Sequence, residues 1–168
     1  TFDLDGLNAF RILKEPIVFV TGNHEYYIKD HERKLKKIND YDLIVLDNNS
    51  FNFKDVNVIG ISDNQTLRSQ ELVADKLTRE NLFNLILVHK PSLWDLVLTK
   101  TDLMLSGHTH NGQIFPFNLF VKLRFKNIYG LYEELNSNLY VSSGSGCWGP
   151  RMRLGTRNEI VRISIVNL

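Results

Sequence analysis

The chain holds little that would place it in an easy class. It has one cysteine, Cys147, which excludes an internal disulfide and any cysteine-rich zinc site. No apolar run approaches the roughly 18 residues of a membrane span. Charge of one sign is lacking too: 20 basic against 19 acidic residues leave a net +1, with no nucleic-acid signal and no acidic-membrane footprint. There is no G-x-x-x-x-G-K-[ST] phosphate loop, no G-x-G-x-x-G turn and no G-x-S-x-G elbow; Ser145, in SSGSGCW, lacks the elbow spacing. His24-Glu25 begins like a zincin helix, but position 28 is isoleucine. The opening TFDLDG is neither a signal peptide nor a transit sequence, and the chain reads as starting inside a domain.

What remains is an ordinary globular composition, 43% apolar and 23% charged over 168 residues, read as one domain spanning 1–168. Short β-branched runs, Ile17 to Val20, Leu43 to Leu46, Leu85 to Val88 and Leu103 to Leu105, read as strands, the first of them buried on both faces. Phe51–Phe53 and Val56–Ile59 form a hairpin across Lys54-Asp55. Helical spacing marks Tyr26 to Asn39, Arg68 to Leu82 and Ser92 to Thr99, with a turn or two over Asn118 to Phe125. The tail turns β-rich, at Ile128–Tyr132, Leu139–Val141 and the alternating Ile160 to Ile165. Strands interleaved with helices, then strands in succession, imply an α/β layered fold with mixed sheets.

Three of the strand-like runs empty into histidine. VFVTG leads into Asn23-His24, LILV into His89, and LMLSG into His108 and His110. Ligands of open α/β sheets sit beyond the carboxyl ends of strands, so neighbouring strands here would bring four of the five histidines together. The fifth, His31, lies in a polar helical stretch and reads as a solvated surface residue. Taken singly, His89 could be a hydrogen-bonded strand end, His24 a helix cap, and His108 and His110 turn residues. Together they favour a metal site, because imidazole is the commonest metal ligand and extended backbone puts side chains two apart on one side.

Gly22-Asn23-His24-Glu25, then His89, then Gly107-His108-Thr109-His110 resemble the last three motifs of the calcineurin-like metallophosphoesterase superfamily. The Gly-Gln after His110, with LYVSSGSG and RLGTRNEIVRISI, narrow the resemblance to the bacterial membrane-associated phosphodiesterase branch. The resemblance implies a four-layer α/β/β/α sandwich of two mixed sheets and a dinuclear site for divalent Mn, Fe or Zn. By motif position Asn23, His89 and His108 ligate one metal and His110 the other. His24 faces the phosphoryl group and protonates the leaving oxygen. The implied reaction is hydrolysis of a phosphoester, most simply a phosphodiester, by a hydroxide that two metals activate.

Departures from the pattern carry their own expectations. The family's D-x-H and G-D-x-x-D motifs, which supply an aspartate and a histidine to one metal and the aspartate that bridges both, are missing; Thr1-Phe2-Asp3 resembles the end of the second. The chain is thus expected to lack the first strand–helix–strand unit, to hold metal weakly and to be inactive or impaired alone. Asp63 reads as structural. Arg151 and Arg153 are candidates for a substrate phosphate. Any membrane anchor of the parent would precede Thr1, and oligomeric state is not legible. The competing class is a non-catalytic relative serving as a protein-binding scaffold; a mononuclear structural metal site is the third reading.

Overall fold

Burial along Phe83–Val88 alternates, with Asn84, Ile86 and Val88 inside, which is the signature of a strand between two unlike layers. In the computed structural model, which describes residues 5–166, eight strands form two sheets. β1 (Ile17–Val20) pairs in parallel with β2 (Leu43–Leu46). The larger sheet has the order β3 (Asn49–Phe53), β4 (Val56–Ile61), β5 (Phe83–Val88), β6 (Leu103–Ser106), β8 (Ser137–Val141) and β7 (Gly130–Glu134). It is parallel through β4, β5, β6 and β8, with an antiparallel hairpin at each edge.

Register puts Ile59, Ile61, Ile86, Val88, Met104, Leu139 and Val141 on one face, where Ala74, Leu93, Trp94 and Val97 complete the core. Those partners come from α2 (Leu67–Leu77), from a one-turn α3 (Trp94–Val97) and, for Leu93, from the 3₁₀ turn Pro91–Leu93 just before it. α1 (His31–Ile38) lies against β2 on the far side, and the order of layers is α/β/β/α. The two sheets meet through Gly60. A Cβ there would stand 2.2 Å from Leu46 Cβ and 2.9 Å from Val20 Cγ1, so the close stacking requires glycine.

Several expectations change. β1 is only half-buried, because β2 is its sole ladder partner among the described residues, and the small sheet is parallel rather than mixed. Nor do the three histidine-bearing strands adjoin one another: β5 and β6 are neighbours, whereas β1 stands in the other sheet. α1 starts at His31, behind a 3₁₀ turn over Glu25–Tyr27, which leaves Ile28 outside it. α2 starts at an N-cap where Thr66 accepts from the Ser69 N–H, and it stops at Leu77 rather than continuing to Leu82. The reason is Asn84, whose side chain accepts from the Arg79 N–H and donates to the Arg79 carbonyl, both at 2.9 Å. The alternating tail from Ile160 to Ile165 forms no strand: no ladder partner lies beside it among the described residues, and Ile160 is 95% exposed. Thr1, Phe2 and Asp3 lie outside the described residues.

Candidate metal centre

Both sheets deliver side chains to one place. The loop after β1 is anchored to the larger sheet by Tyr26, whose hydroxyl donates to Thr21 Oγ1 at 2.9 Å and lies 2.6 Å from Ser62 Oγ. Its Gly22 N–H donates to the Glu25 carboxylate at 2.7 Å. On the other side the Gly107 N–H donates to the His89 carbonyl and the Ser142 N–H to the Ser106 carbonyl, tying together the ends of β5, β6 and β8.

Asn23 Oδ1 thereby comes within 2.7 Å of His89 Nε2, which is 2.9 Å from His108 Nδ1. Three lone-pair-bearing atoms converge, and a single ring proton on His89 cannot serve both contacts well. Two neighbouring ligands about 2.1 Å from one cation stand about 3 Å apart when its valence angle is near 90°. The spacing therefore suits one divalent ion, and imidazole plus amide oxygen suits Mn, Fe or Zn. Among the described residues no group of three or more His, Cys, Asp or Glu side chains is placed to hold a metal; the candidate set here is two imidazoles and an amide.

Charge supports the same use. Burial is the main cause that lowers the His89 pKa to about 4, with the neighbouring His108 second. His108 is lowered by burial and then by the Lys90 charge, and His110 by burial and then by Arg153. All three rings are thus held neutral, as ligands must be. Asp63, buried and paired with Lys90 at 2.7 Å, opposes the shift at His89 and His108. Its Oδ1 has no hydrogen-bond partner.

The two histidines of the loop are not set side by side by strand alternation. His108 and His110 have φ of 67° and 50°, and Asn111, Gly112 and Gln113 also lie in the left-handed region, so the extended alternation assumed from sequence does not exist. His108 turns to His89, while His110 Nδ1 meets the Arg153 guanidinium at 3.4 Å. Strained backbone of this kind concentrates at functional sites. Arg153 donates to the carbonyls of His110 at 3.0 Å and of Ser143 and Gly146 at 2.6 Å, which engages both terminal nitrogens, while its buried Nε has no partner. Arg151 is exposed beside it. His24 makes no cap bond; it sits at the mouth with its ring 5.6 Å from that of Tyr27. His31 is half-buried, its ring 5.4 Å from that of Tyr26, not freely solvated.

A cavity of about 470 Å³ opens here, lined by Asn23, His24, His89, His108 and His110 and by the apolar side chains of Phe117, Val121 and Phe125, the Phe125 ring lying 5.2 Å from that of His108. Sequence reasoning missed that apolar wall, although the i, i+4, i+8 spacing was there to read. It also missed the structural use of Gln113, whose side chain donates to the Trp148 carbonyl and accepts from the Trp148 N–H, both at 2.6 Å.

The sequence model of the calcineurin-like phosphoesterase family matches residues 3–112. An uncharacterised metallophosphoesterase of Campylobacter jejuni is 37% identical, covering 88% of this chain and 41% of its own length. One from Bacillus subtilis is 34% identical, over 92% and 62%. A cattle protein named a transmembrane protein with metallophosphoesterase domain is 30% identical, over 86% and 37%. The chain spans about two-fifths of the length of the first relatives it matches, 41–42%. No solved structure is a significant match.

Proposed function

Because the chain belongs to the calcineurin-like phosphoesterase family, we propose that it forms part of a metal-dependent hydrolase of phosphoesters, acting on phosphodiesters. The convergence of Asn23 Oδ1, His89 Nε2 and His108 Nδ1 within 2.7 to 2.9 Å of their neighbours carries this reading. Those three residues would hold one cation, which when bound supplies Lewis-acid polarisation of the phosphoryl oxygens. His110 is the single described donor toward a second.

The chain's own residues do the rest. Asn23, His89 and His108 set the place of that cation beyond the strand ends. His24, exposed at the mouth, is within the same cavity and is the group assigned to protonate the departing alkoxide. Arg153 holds His110 and the Ser143–Gly146 loop rigid through their carbonyls. Phe117, Val121 and Phe125 give the cavity an apolar lining that disfavours bulk water. No carboxylate meets the three donors among the described residues, so this chain alone binds a dication weakly and turns over slowly. The presence of His24 favours catalysis over a scaffold role.

The test is hydrolysis of bis-p-nitrophenyl phosphate with added Mn²⁺, by this chain and by the full-length protein. The full-length enzyme should turn over, with His89→Ala abolishing activity and His24→Ala lowering kcat by about 10²-fold or more. No turnover, with His24→Ala indistinguishable from the wild type, overturns the reading.

A further inference from the structure

α4 (Phe117–Arg124) is an apolar helix with no buried residue. One stripe, Phe117 and Val121 with Phe125 just beyond the helix, lines the histidine cavity. The other, Leu119, Phe120 and Leu123, faces solvent beside Phe115; Phe120 is 60% and Leu123 85% exposed. An eight-residue helix is marginal in water without a face to bury, and the principal contact of α4 is the His110–Gly112 turn rather than either sheet.

Charge identifies what covers it. No acidic residue occurs between Asp102 and Glu133, while Lys122, Arg124 and Lys126 cluster at the end of α4. Lys126 pairs with Asp95 at 3.0 Å, but Lys122 and Arg124 form no ion pair among the described residues. A basic rim beside an exposed apolar stripe is the pattern of a helix lying in a lipid interface. A protein groove would need acids placed to match, whereas an anionic bilayer supplies charge everywhere.

We propose that α4 is an interfacial helix that docks the mouth of the histidine cavity on an anionic phospholipid bilayer. The phosphoester is then carried by a lipid-like molecule whose apolar part lies along Phe117, Val121 and Phe125. The choice of substrate rests on the phosphoesterase reading; the docking does not.

Flotation with vesicles of phosphatidylcholine containing about 30% phosphatidylglycerol tests the docking, against phosphatidylcholine alone. The wild type should float only with the anionic vesicles, and lose binding at about 0.5 M salt. Lys122→Glu/Arg124→Glu should weaken partition by at least about 25-fold, at about fivefold for each basic residue. Phe120→Ser/Leu123→Ser should abolish it, with circular dichroism showing that the fold is kept. Absence of flotation, or variants that float like the wild type, overturns docking. So does a dimer in gel filtration that Leu123→Ser dissociates, which would make the stripe a contact between copies of the chain. In the full-length enzyme, dodecyl p-nitrophenyl phosphate should surpass its methyl analogue in kcat/KM by about tenfold or more. Equal values overturn the lipid-like substrate while leaving docking intact. Hydrolysis of neither ester sinks the phosphoesterase reading and the substrate with it; flotation is judged separately.

Discussion

Replacing Gly22 with alanine should damage the candidate metal centre without touching a donor atom. A Cβ at position 22 would stand 2.9 Å from His89 Nδ1 and 3.0 Å from its Cε1 and Cγ. Ordinary contact begins near about 3.5 Å, so one side must retreat by about half an ångström. The backbone cannot easily do so, because the Gly22 N–H is held by Glu25 at 2.7 Å and the residue is buried. The His89 ring therefore moves, and its Nε2 leaves the positions 2.7 Å from Asn23 and 2.9 Å from His108. Metal sites tolerate displacements of about 0.2 Å. Affinity for Mn²⁺ or Zn²⁺, measured by isothermal titration calorimetry, should fall by about 10- to 100-fold. Overpacking should add about 1–3 kcal/mol of destabilisation in urea. Gly6→Ala, where nothing lies within 4 Å, is the control and should change neither. Unchanged metal affinity in Gly22→Ala would refute the argument that glycine is there to seat the imidazole.

Acid should weaken the metal-free fold. The unfolded chain takes up a proton on His89 near pH 6.5 and the folded one only near about 4, so between these values the unfolded state holds more protons and stability falls as pH falls. From about pH 7.5 to about pH 5 the loss from this group is about 2 kcal/mol in urea titrations, levelling below pH 4, and His89→Gln should flatten it. A slope that the variant leaves intact would place the acid sensitivity elsewhere. Gln113→Ala removes both 2.6 Å bonds to Trp148 and a 3.2 Å bond to the Pro150 carbonyl. It should cost about 2–4 kcal/mol and make the Gly146–Pro150 loop protease-sensitive, whereas a loss under about 1 kcal/mol would contradict the staple. Asn57 Nδ2 donates to Asn84 Oδ1 at 2.9 Å in the buried base of the sheet. A double-mutant cycle with Asn57→Ala and Asn84→Ala should show about 1 kcal/mol of coupling, and strict additivity would count against it.

Legibility followed the range of the forces involved. The runs that became β2, β5 and β6, and the hairpin of β3 with β4, were visible because burial of apolar side chains acts on neighbouring residues. The premature end of α2 was not, since it depends on an Asn84 amide that arrives from the next strand. The tail at Ile160–Ile165 shows the converse: alternation describes a face, but a strand exists only beside a partner. Asn23, His89 and His108 were named from motif order, and the fold sets Asn23 beside His89 and His89 beside His108. How they meet was hidden, because sheet stacking rather than strand adjacency brings Asn23 across. Arg153 is a related case. A guanidinium advertises affinity for phosphate, and only the folded loop reveals that carbonyls of His110, Ser143 and Gly146 already claim it.

The division of donors between the sheets has a thermodynamic consequence. Asn23 rides on the loop after β1, and His89 and His108 ride on loops after β5 and β6. A cation held by all three is bound only by molecules whose sheets are in register, so it acts as a strut between them. By mass action, a free concentration one hundred times the dissociation constant adds about 2.7 kcal/mol to that registered form. Chelation would then release sliding of one sheet over the other at Gly60 before it disturbs either sheet internally, and amide exchange in β1 and β2 would accelerate ahead of that in β5.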